Sequence, residues 1–316
     1  MKKFIYSEDL IDYDINVSSL IKYKNDINKS NNKYQNKILG LIFFNPSLRT
    51  RLSTEKAALN LGIKTISINV DKDSWQLEFE DNIVMNGDKP EHIKEAAQVI
   101  SQYCDIVGVR SFASLENKKS DLEDIIVNSF VKYSKVPVIN LESAISHPLQ
   151  SLADALTIKE NSKLKNPKIV LSWAPHIKPL PHAVANSFIK MCRLCNFDLT
   201  ITNPEECNLS KEITNGFDVI HDQNRAFKNA DFIYAKNWSS FENYGKLIEP
   251  KNSWTIDNEK MKLTNNAYFM HCLPVRRNLI VTDHVLDSKN NLTINQANNR
   301  TFATQYILDK ILKNEK

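Results

Sequence analysis

From Lys37 onward, apolar runs of strand length alternate with segments of helical period, and this alternation constrains the fold more than any other feature. The first run, Ile38-Leu39-Gly40-Leu41-Ile42-Phe43-Phe44, is short, continuous and rich in branched and aromatic residues, as a strand covered on both faces of a parallel sheet requires. Pro46 ends it. Leu52, Lys56, Leu59 and Leu61, with Ala57 and Ala58, then approximate a helical period that closes at Gly62, a residue suited to a left-handed helix end. The pattern continues with a strand at Lys64 to Val70, a long polar loop, a helix from Glu91 to Gln102, a strand at Cys104 to Val109, a helix at Asp121 to Tyr133 and a strand at Val136 to Asn140. After a helix from about Pro148 to Lys163, a second series follows: strands at Lys168 to Trp173, Phe197 to Thr202, Val219 to Ile220, Asp231 to Lys236 and Ala267 to Cys272, with a helix at Ala183 to Leu194. A helix from Asn295 to Leu312 closes the chain. The reading is α/β: two doubly wound parallel-sheet domains, 1–148 and 149–294, joined by interdomain helices, with 295–316 as a C-terminal helix. Residues 1–36 and the run Trp238 to Asn266 resist assignment beyond a helix around Val17 to Tyr23.

A length of 316 residues suits two domains with their own cores. Hydrophobic residues at 42% and charged residues at 25% are ordinary for a globular protein and exclude long disorder. The apolar runs fall short of the ~20 residues that span a bilayer, and no signal-peptide pattern opens the chain, so a cytoplasmic location and no membrane partner are expected. Lys and Arg exceed Asp and Glu by 41 − 37 = 4, but the two signs are interspersed. Small anionic ligands account for that balance, and no nucleic-acid partner is expected. Cys104, Cys192, Cys195, Cys207 and Cys272 form no disulfide framework and no finger spacing, so neither a metal nor any other cofactor is expected.

Ligands of open α/β sheets sit beyond the carboxyl ends of strands. The segments there are Ser47 to Arg51, Arg110, Glu142 to Gln150, His176, Lys236 and His271 to Arg277, each placing polar groups directly after an apolar strand. Ser47 stands at a helix start, where free N–H groups, two hydroxyls and the guanidinium groups of Arg49 and Arg51 would converge on a phosphate. Each segment also has a plainer reading: Ser47 as an N-cap, Arg110 as a surface ion pair, His147 as a cap before Pro148, Lys236 as a solvated strand end, and Cys272 as a core thiol.

Taken together, Ser47-Leu48-Arg49-Thr50-Arg51, Arg110, His147-Pro148-Leu149-Gln150 and His271-Cys272-Leu273-Pro274 resemble the transcarbamylases, in this order and over nearly the whole chain. The resemblance implies a carbamoyl phosphate domain at 1–148, an amino-acid domain at 149–294, and a last helix packing back on the first domain. It further implies a homotrimer with active sites shared between subunits. Ser47, Leu48, Arg49, Thr50, Arg110, His147, Gln150, Cys272, Leu273 and Arg300 match carbamoyl phosphate contacts. Thr50, Arg110 and His147 match the groups that polarise the carbamoyl oxygen, while Gln150 matches the acceptor for its amide. Trp75 matches a residue lent by a neighbouring subunit. Cys272 is assigned orientation of the amine, since an ordinary thiol with pKa ~8.5 is a poor base.

Cys272 points to an ornithine-type amine, but Ala235-Lys236-Asn237-Trp238 replaces the acidic loop that reads a free α-amino group in the plain ornithine enzymes. Lys236 would repel an ammonium and suits a neutral acylated nitrogen beside a carboxylate. The chain is thus similar to the branch acting on N2-acylated ornithine, where Glu142, His176, Lys236 and Arg276 match contacts to the amine. At Asp88-Lys89-Pro90-Glu91 this branch carries Glu for an acetyl chain and Pro for a succinyl chain. A Glu would repel the second carboxylate of a succinyl group, so Pro90 favours succinyl, with acetyl as the alternative. Pro90 alone would also serve as the first residue of the next helix. A non-catalytic phosphate or nucleic-acid binder is the remote reading.

Overall fold

The computed structural model describes residues 1–26, 32–70 and 72–313. The polar Lys/Asn stretch ahead of Lys37 and the expected C-terminal segment 295–316 lie partly outside them. Two compact units emerge, Met1–Leu149 with Arg300–Lys316, and Gln150–Asn299, and the chain crosses their boundary inside the helices Pro148–Asn161 and Thr293–Lys313.

In the first unit, β1 (Lys3–Phe4), β2 (Ile38–Phe43) and β3 (Lys64–Asn69) join β6 (Ile106–Arg110) and β7 (Val138–Glu142) in one sheet of order β1-β7-β6-β2-β3. Every pairing is parallel. The chain runs from β2 outward to β3 and then returns to β6 on the other side of β2. A crevice therefore opens beyond the ends of β2 and β6, the switch point of a doubly wound sheet. Leu41, Ile42, Val107 and Val109 are buried in this sheet, as continuous apolar runs between two helical layers must be.

Several expectations shift here. Leu52 and Leu59 are exposed, along with Leu48; the helix Leu48–Leu61 instead buries Thr50, Thr54, Ala57, Ala58 and Leu61. Small side chains let its backbone approach the sheet, so the large leucines were the wrong guide to its inner face. Gly62 does close this helix in the left-handed region (φ 77°), its N–H donating to Ala58 O and Leu59 O. The expected helix over Asp121 to Tyr133 is two helices, Lys118–Glu123 and Ile125–Tyr133, broken where Asp124 turns left-handed (φ 49°). Pro90 starts no helix. Glu91–His92 (β5) pairs with Leu77–Glu78 (β4), and the helix Ile93–Tyr103 begins after the His92 ring accepts from Lys94 N. The last strand runs on to Glu142, past the expected Asn140. At the N-terminus, β1 extends the sheet beside β7, an arrangement that a two-residue strand does not announce by periodicity.

In the second unit, β8 (Lys168–Trp173), β9 (Asp198–Thr202), β10 (Asp218–Ile220), β11 (Phe232–Lys236) and β12 (Tyr268–Met270) form a parallel sheet of order β10-β9-β8-β11-β12. Its switch point lies between β8 and β11, beyond Trp173 and Lys236. Val170, Ile233, Ala235 and Phe269 belong to its core. Among the described residues no helix is long and apolar enough to cross a membrane, and no group of His, Cys, Asp and Glu is arranged to hold a metal ion.

Candidate active site

Ser47 caps the helix Leu48–Leu61, its extended backbone (φ −155°, ψ 122°) letting the hydroxyl accept from Thr50 N at 3.2 Å. The plain N-cap reading of Ser47 is therefore realised, and the cap places Thr50 on the inner side of the first turn, where it is buried. Two guanidinium groups converge on its hydroxyl. Arg110 Nη1 lies 3.0 Å and Arg300 Nη2 2.7 Å from Thr50 Oγ1. Both arginines are buried at 5% exposure, so the surface ion pair considered for Arg110 is not what the fold makes.

Arg110 is the last residue of β6, and a register shift between Val109 and Arg110 sets it opposite Glu142 at the end of β7. The bulge aims the two side chains at each other, with Arg110 Nη1 2.5 Å from Glu142 Oε2. The same oxygen is 3.4 Å from His147 Nε2. Burial holds the His147 imidazole well below the usual histidine range, and Arg300 and Arg110 push in the same direction. At neutral pH the ring is therefore uncharged, and facing a carboxylate it presents Nε2–H as a donor. Two guanidinium groups and one carboxylate thus share a dry cluster with neutral donors, and a phosphate-sized anion would balance it. Arg51, expected to contribute, is held elsewhere by Glu55 at 3.0 Å. Arg49 is half-buried and Leu48 exposed in the same helical turn.

In the second unit, Lys236 ends β11 and is buried, with Nζ donating to Asn237 O at 2.8 Å. It is not the solvated strand end of the plainer reading. Asn237 Nδ2 in turn donates to Ala174 O at 2.8 Å, joining the ends of β11 and β8. His176 follows β8. Its Nε2 accepts from Arg276 Nε at 3.3 Å, which leaves the proton on Nδ1 for Lys178 O at 2.9 Å. Burial first, then Lys236 and Arg276, lower the His176 pKa, in keeping with a neutral ring. Arg276 itself is exposed. Cys272 is partly exposed, not the core thiol of the plainer reading, and Leu273 beside it donates its N–H to His271 Nδ1 at 2.9 Å. Gln150 is buried in the first turn of the helix Pro148–Asn161.

Trp75 and Pro90 belong to the first unit's loop region and stand in solvent. Trp75 is 56% exposed, and its indole donates to Glu91 Oε2 at 2.8 Å, next to Pro90. Sequence reasoning gave no role to two residues that hold the segments beyond β6 and β7 in shape. Asn45 Oδ1 accepts from Phe112 N at 2.6 Å, and Asn140 Nδ2 donates to Ile5 O, Ser143 Oγ and Ser146 O. An Asn close to a strand end was the available signal, since its amide can satisfy a turn's backbone groups.

The match to known proteins is extensive. Residues 5–160 match the aspartate/ornithine carbamoyltransferase, carbamoyl-P binding domain, and residues 181–311 match the Asp/Orn binding domain of the same family. The chain is 46% identical over 316 residues to an N-succinylornithine carbamoyltransferase of Bacteroides fragilis, covering 99% of both chains. It is 39% identical over 302 residues to an N-acetylornithine carbamoyltransferase of Xylella fastidiosa, covering 89% of this chain and 90% of the relative. A crystal structure of an N-acetyl-L-ornithine transcarbamylase carrying a Glu-to-Pro mutation, complexed with carbamyl phosphate and N-succinyl-L-norvaline, superposes with a TM-score of 0.91. It is 37% identical, and the match covers 98% of this chain and 100% of that one. On its fold, its paired domains and this identity, the chain belongs to the aspartate/ornithine carbamoyltransferase family, the transcarbamylases.

Proposed function

We propose that the protein transfers the carbamoyl group of carbamoyl phosphate to the side-chain amine of N2-succinyl-L-ornithine, giving N2-succinyl-L-citrulline and phosphate, as a step of arginine biosynthesis in the cytoplasm. The observation that carries the donor half is the convergence of Arg110 and Arg300 on Thr50 Oγ1, at the start of a capped helix. The unit Met1–Leu149 with Arg300–Lys316 holds carbamoyl phosphate through Ser47, Leu48, Arg49, Thr50, Arg110, His147 and Arg300. Gln150, Cys272 and Leu273 contribute from the second unit, and Trp75 from a neighbouring subunit of a homotrimer. The exposed Leu48, Leu52 and Trp75 fit surfaces that such an assembly covers.

Attack of the neutral amine on the carbamoyl carbon forms a C–N bond and places negative charge on the carbonyl oxygen. Donors from Thr50, Arg110 and His147 stabilise that oxyanion, each worth about 3 kcal/mol of barrier. As the C–O bond to phosphate breaks, the leaving phosphate takes up the amine's proton, so positioning replaces a dedicated base. Glu142, His176, Lys236 and Arg276 receive the acylornithine, and Cys272 orients its amine.

The succinyl assignment rests on Pro90 and is supported by the higher identity to the N-succinylornithine relative than to the N-acetylornithine one, 46% against 39%. In structural neighbours, replacement of a Glu by Pro, Ser, Ala or Val accompanies an N-succinyl ligand, in keeping with the absence of a Glu carboxylate as the feature that matters. The test is to supply carbamoyl phosphate and N2-succinyl-L-ornithine and follow product by mass spectrometry. N2-succinyl-L-citrulline and phosphate should form in equal amounts, and absence of any ureido product with this amine, with N2-acetyl-L-ornithine and with ornithine refutes the reading.

A further inference from the structure

Asp154 lies one helical turn after Gln150, is fully buried, and belongs to none of the segments that sequence reasoning selected. Its Oδ1 accepts from Gln150 Nε2 at 2.8 Å and from Gln296 Nε2 at 2.7 Å. Gln296 passes the constraint on, its Oε1 accepting from His271 N at 3.0 Å, at the head of the His271-Cys272-Leu273-Pro274 loop. The Tyr234 hydroxyl stands beside both Asp154 and Cys272, and burial together with these two neighbours keeps the phenol protonated. One carboxylate therefore ties the first turn of the helix Pro148–Asn161 to the loop that carries Cys272.

The chemistry of the pair has a definite polarity. A side-chain amide can turn over, exchanging its oxygen and its NH2 with little change in shape. A carboxylate accepts and does not donate, so an amide held against it must offer NH2. Gln150 is buried to 1% exposure, and its Oε1 has no hydrogen-bond partner among the described residues. Its orientation is thereby fixed, with an acceptor left over that a ligand N–H can satisfy. We infer that Asp154 is a positioning residue that locks the Gln150 amide so that its oxygen reads the NH2 of the carbamoyl donor and refuses a methyl group in its place. This rests on the carbamoyl phosphate reading of the site and adds to it the source of donor selectivity.

Acetyl phosphate is the probe, because it carries a methyl where carbamoyl phosphate carries NH2, and inorganic phosphate reports on the anion cluster alone. The KM for carbamoyl phosphate and competitive inhibition constants for the other two are measured on the full-length enzyme and on Asp154→Ala, Asp154→Glu and Asp154→Asn, with folding checked by thermal melting. Asp154→Ala frees the amide, and Asp154→Glu keeps the charge but moves the oxygen, so the two variants test the same lock by different routes. Both should lose roughly 10- to 100-fold of the preference for carbamoyl over acetyl phosphate, the range for a hydrogen bond to a charged partner, with inorganic phosphate inhibition unchanged. Asp154→Asn, whose amide oxygen can still accept, should recover most of the preference. Retention of the wild-type preference in Asp154→Ala or Asp154→Glu overturns the inference, as does a loss shared equally with inorganic phosphate, which would mark a merely structural role. A wild-type enzyme without preference for carbamoyl over acetyl phosphate contradicts the donor-site reading itself, whatever the variants do.

Discussion

In the first unit Thr50, Arg110, His147 and Arg300 are each buried, and the contacts among them and Glu142 close into a network, whereas in the second Lys236 is buried but His176 is half-exposed and Arg276 stands in solvent. The two clusters hold similar numbers of cationic side chains and differ in how firmly each is fixed. A small ligand of fixed shape repays a preformed, dehydrated cage, because electrostatic donors act most strongly where water is excluded. The second cluster, which the proposed function assigns to the amine and its acyl tail, instead draws on a strand end at Lys236 and on the more exposed His176 and Arg276, which change more easily. On the proposed reading, selectivity for the donor and selectivity for the acceptor sit in differently built parts of the molecule.

The sharpest way to break this contrast is to remove a buried charge from the first cluster. Arg110→Ala should lower turnover roughly 1000-fold or more by steady-state assay, because it removes a donor to the oxyanion. It should also cost about 3 kcal/mol of stability by denaturant unfolding, because the largely buried Glu142 carboxylate loses its guanidinium partner. The double variant Arg110→Ala with Glu142→Gln should regain much of that stability and none of the activity, separating the ion pair's structural share from its chemical one. In the second cluster, Lys236→Met should raise the KM for the amine about 100-fold and leave the KM for carbamoyl phosphate within about 3-fold, the loss expected for one desolvated charge contact. Equal damage to both substrates would deny the second cluster its separate role.

Pro90→Glu should act on acceptor choice alone, shifting the kcat/KM ratio of succinyl to acetyl substrate by roughly 10- to 100-fold towards acetyl, through repulsion of the second carboxylate. The smallest effect concerns pH. The folded-state pKa of His147 is depressed, so its contribution to stability is present above the ordinary value of about 6.5 and is lost as the pH falls through the folded value. The melting temperature of the wild type should accordingly fall more steeply than that of His147→Gln between pH 7 and pH 5, by about 3 °C. Parallel curves would mean that the ring is not held neutral.

Most of the strand framework was legible because parallel strands covered on both faces announce themselves as unbroken apolar runs, from Ile38 and again from Lys168. The strand-end rule then led directly to Thr50, Arg110 and Lys236, all of which proved buried and polar, a combination that packing alone does not select. The inner face of the helix Leu48–Leu61 was misread because tight packing favours threonine and alanine over leucine. The break at Asp124 and the strand Lys3–Phe4 depend on contacts distant in sequence, which local periodicity does not encode. Asp154 escaped notice for a related reason: a single Asp inside an amphipathic helix looks like solvated surface until its partners Gln150 and Gln296 are placed.

The central claim, a cationic donor cage serving an acceptor chosen by Pro90 and Lys236, is tested most directly by one competition. Purified enzyme receives limiting carbamoyl phosphate with equal concentrations of N2-succinyl-L-ornithine, N2-acetyl-L-ornithine and ornithine, and the ureido products are quantified by mass spectrometry, so that their ratio reports relative kcat/KM. The expected mixture contains N2-succinyl-L-citrulline in roughly 10-fold or greater excess over acetylcitrulline, with little citrulline, the size of discrimination that one charge contact supplies. An excess of acetylcitrulline, or of citrulline, would contradict it.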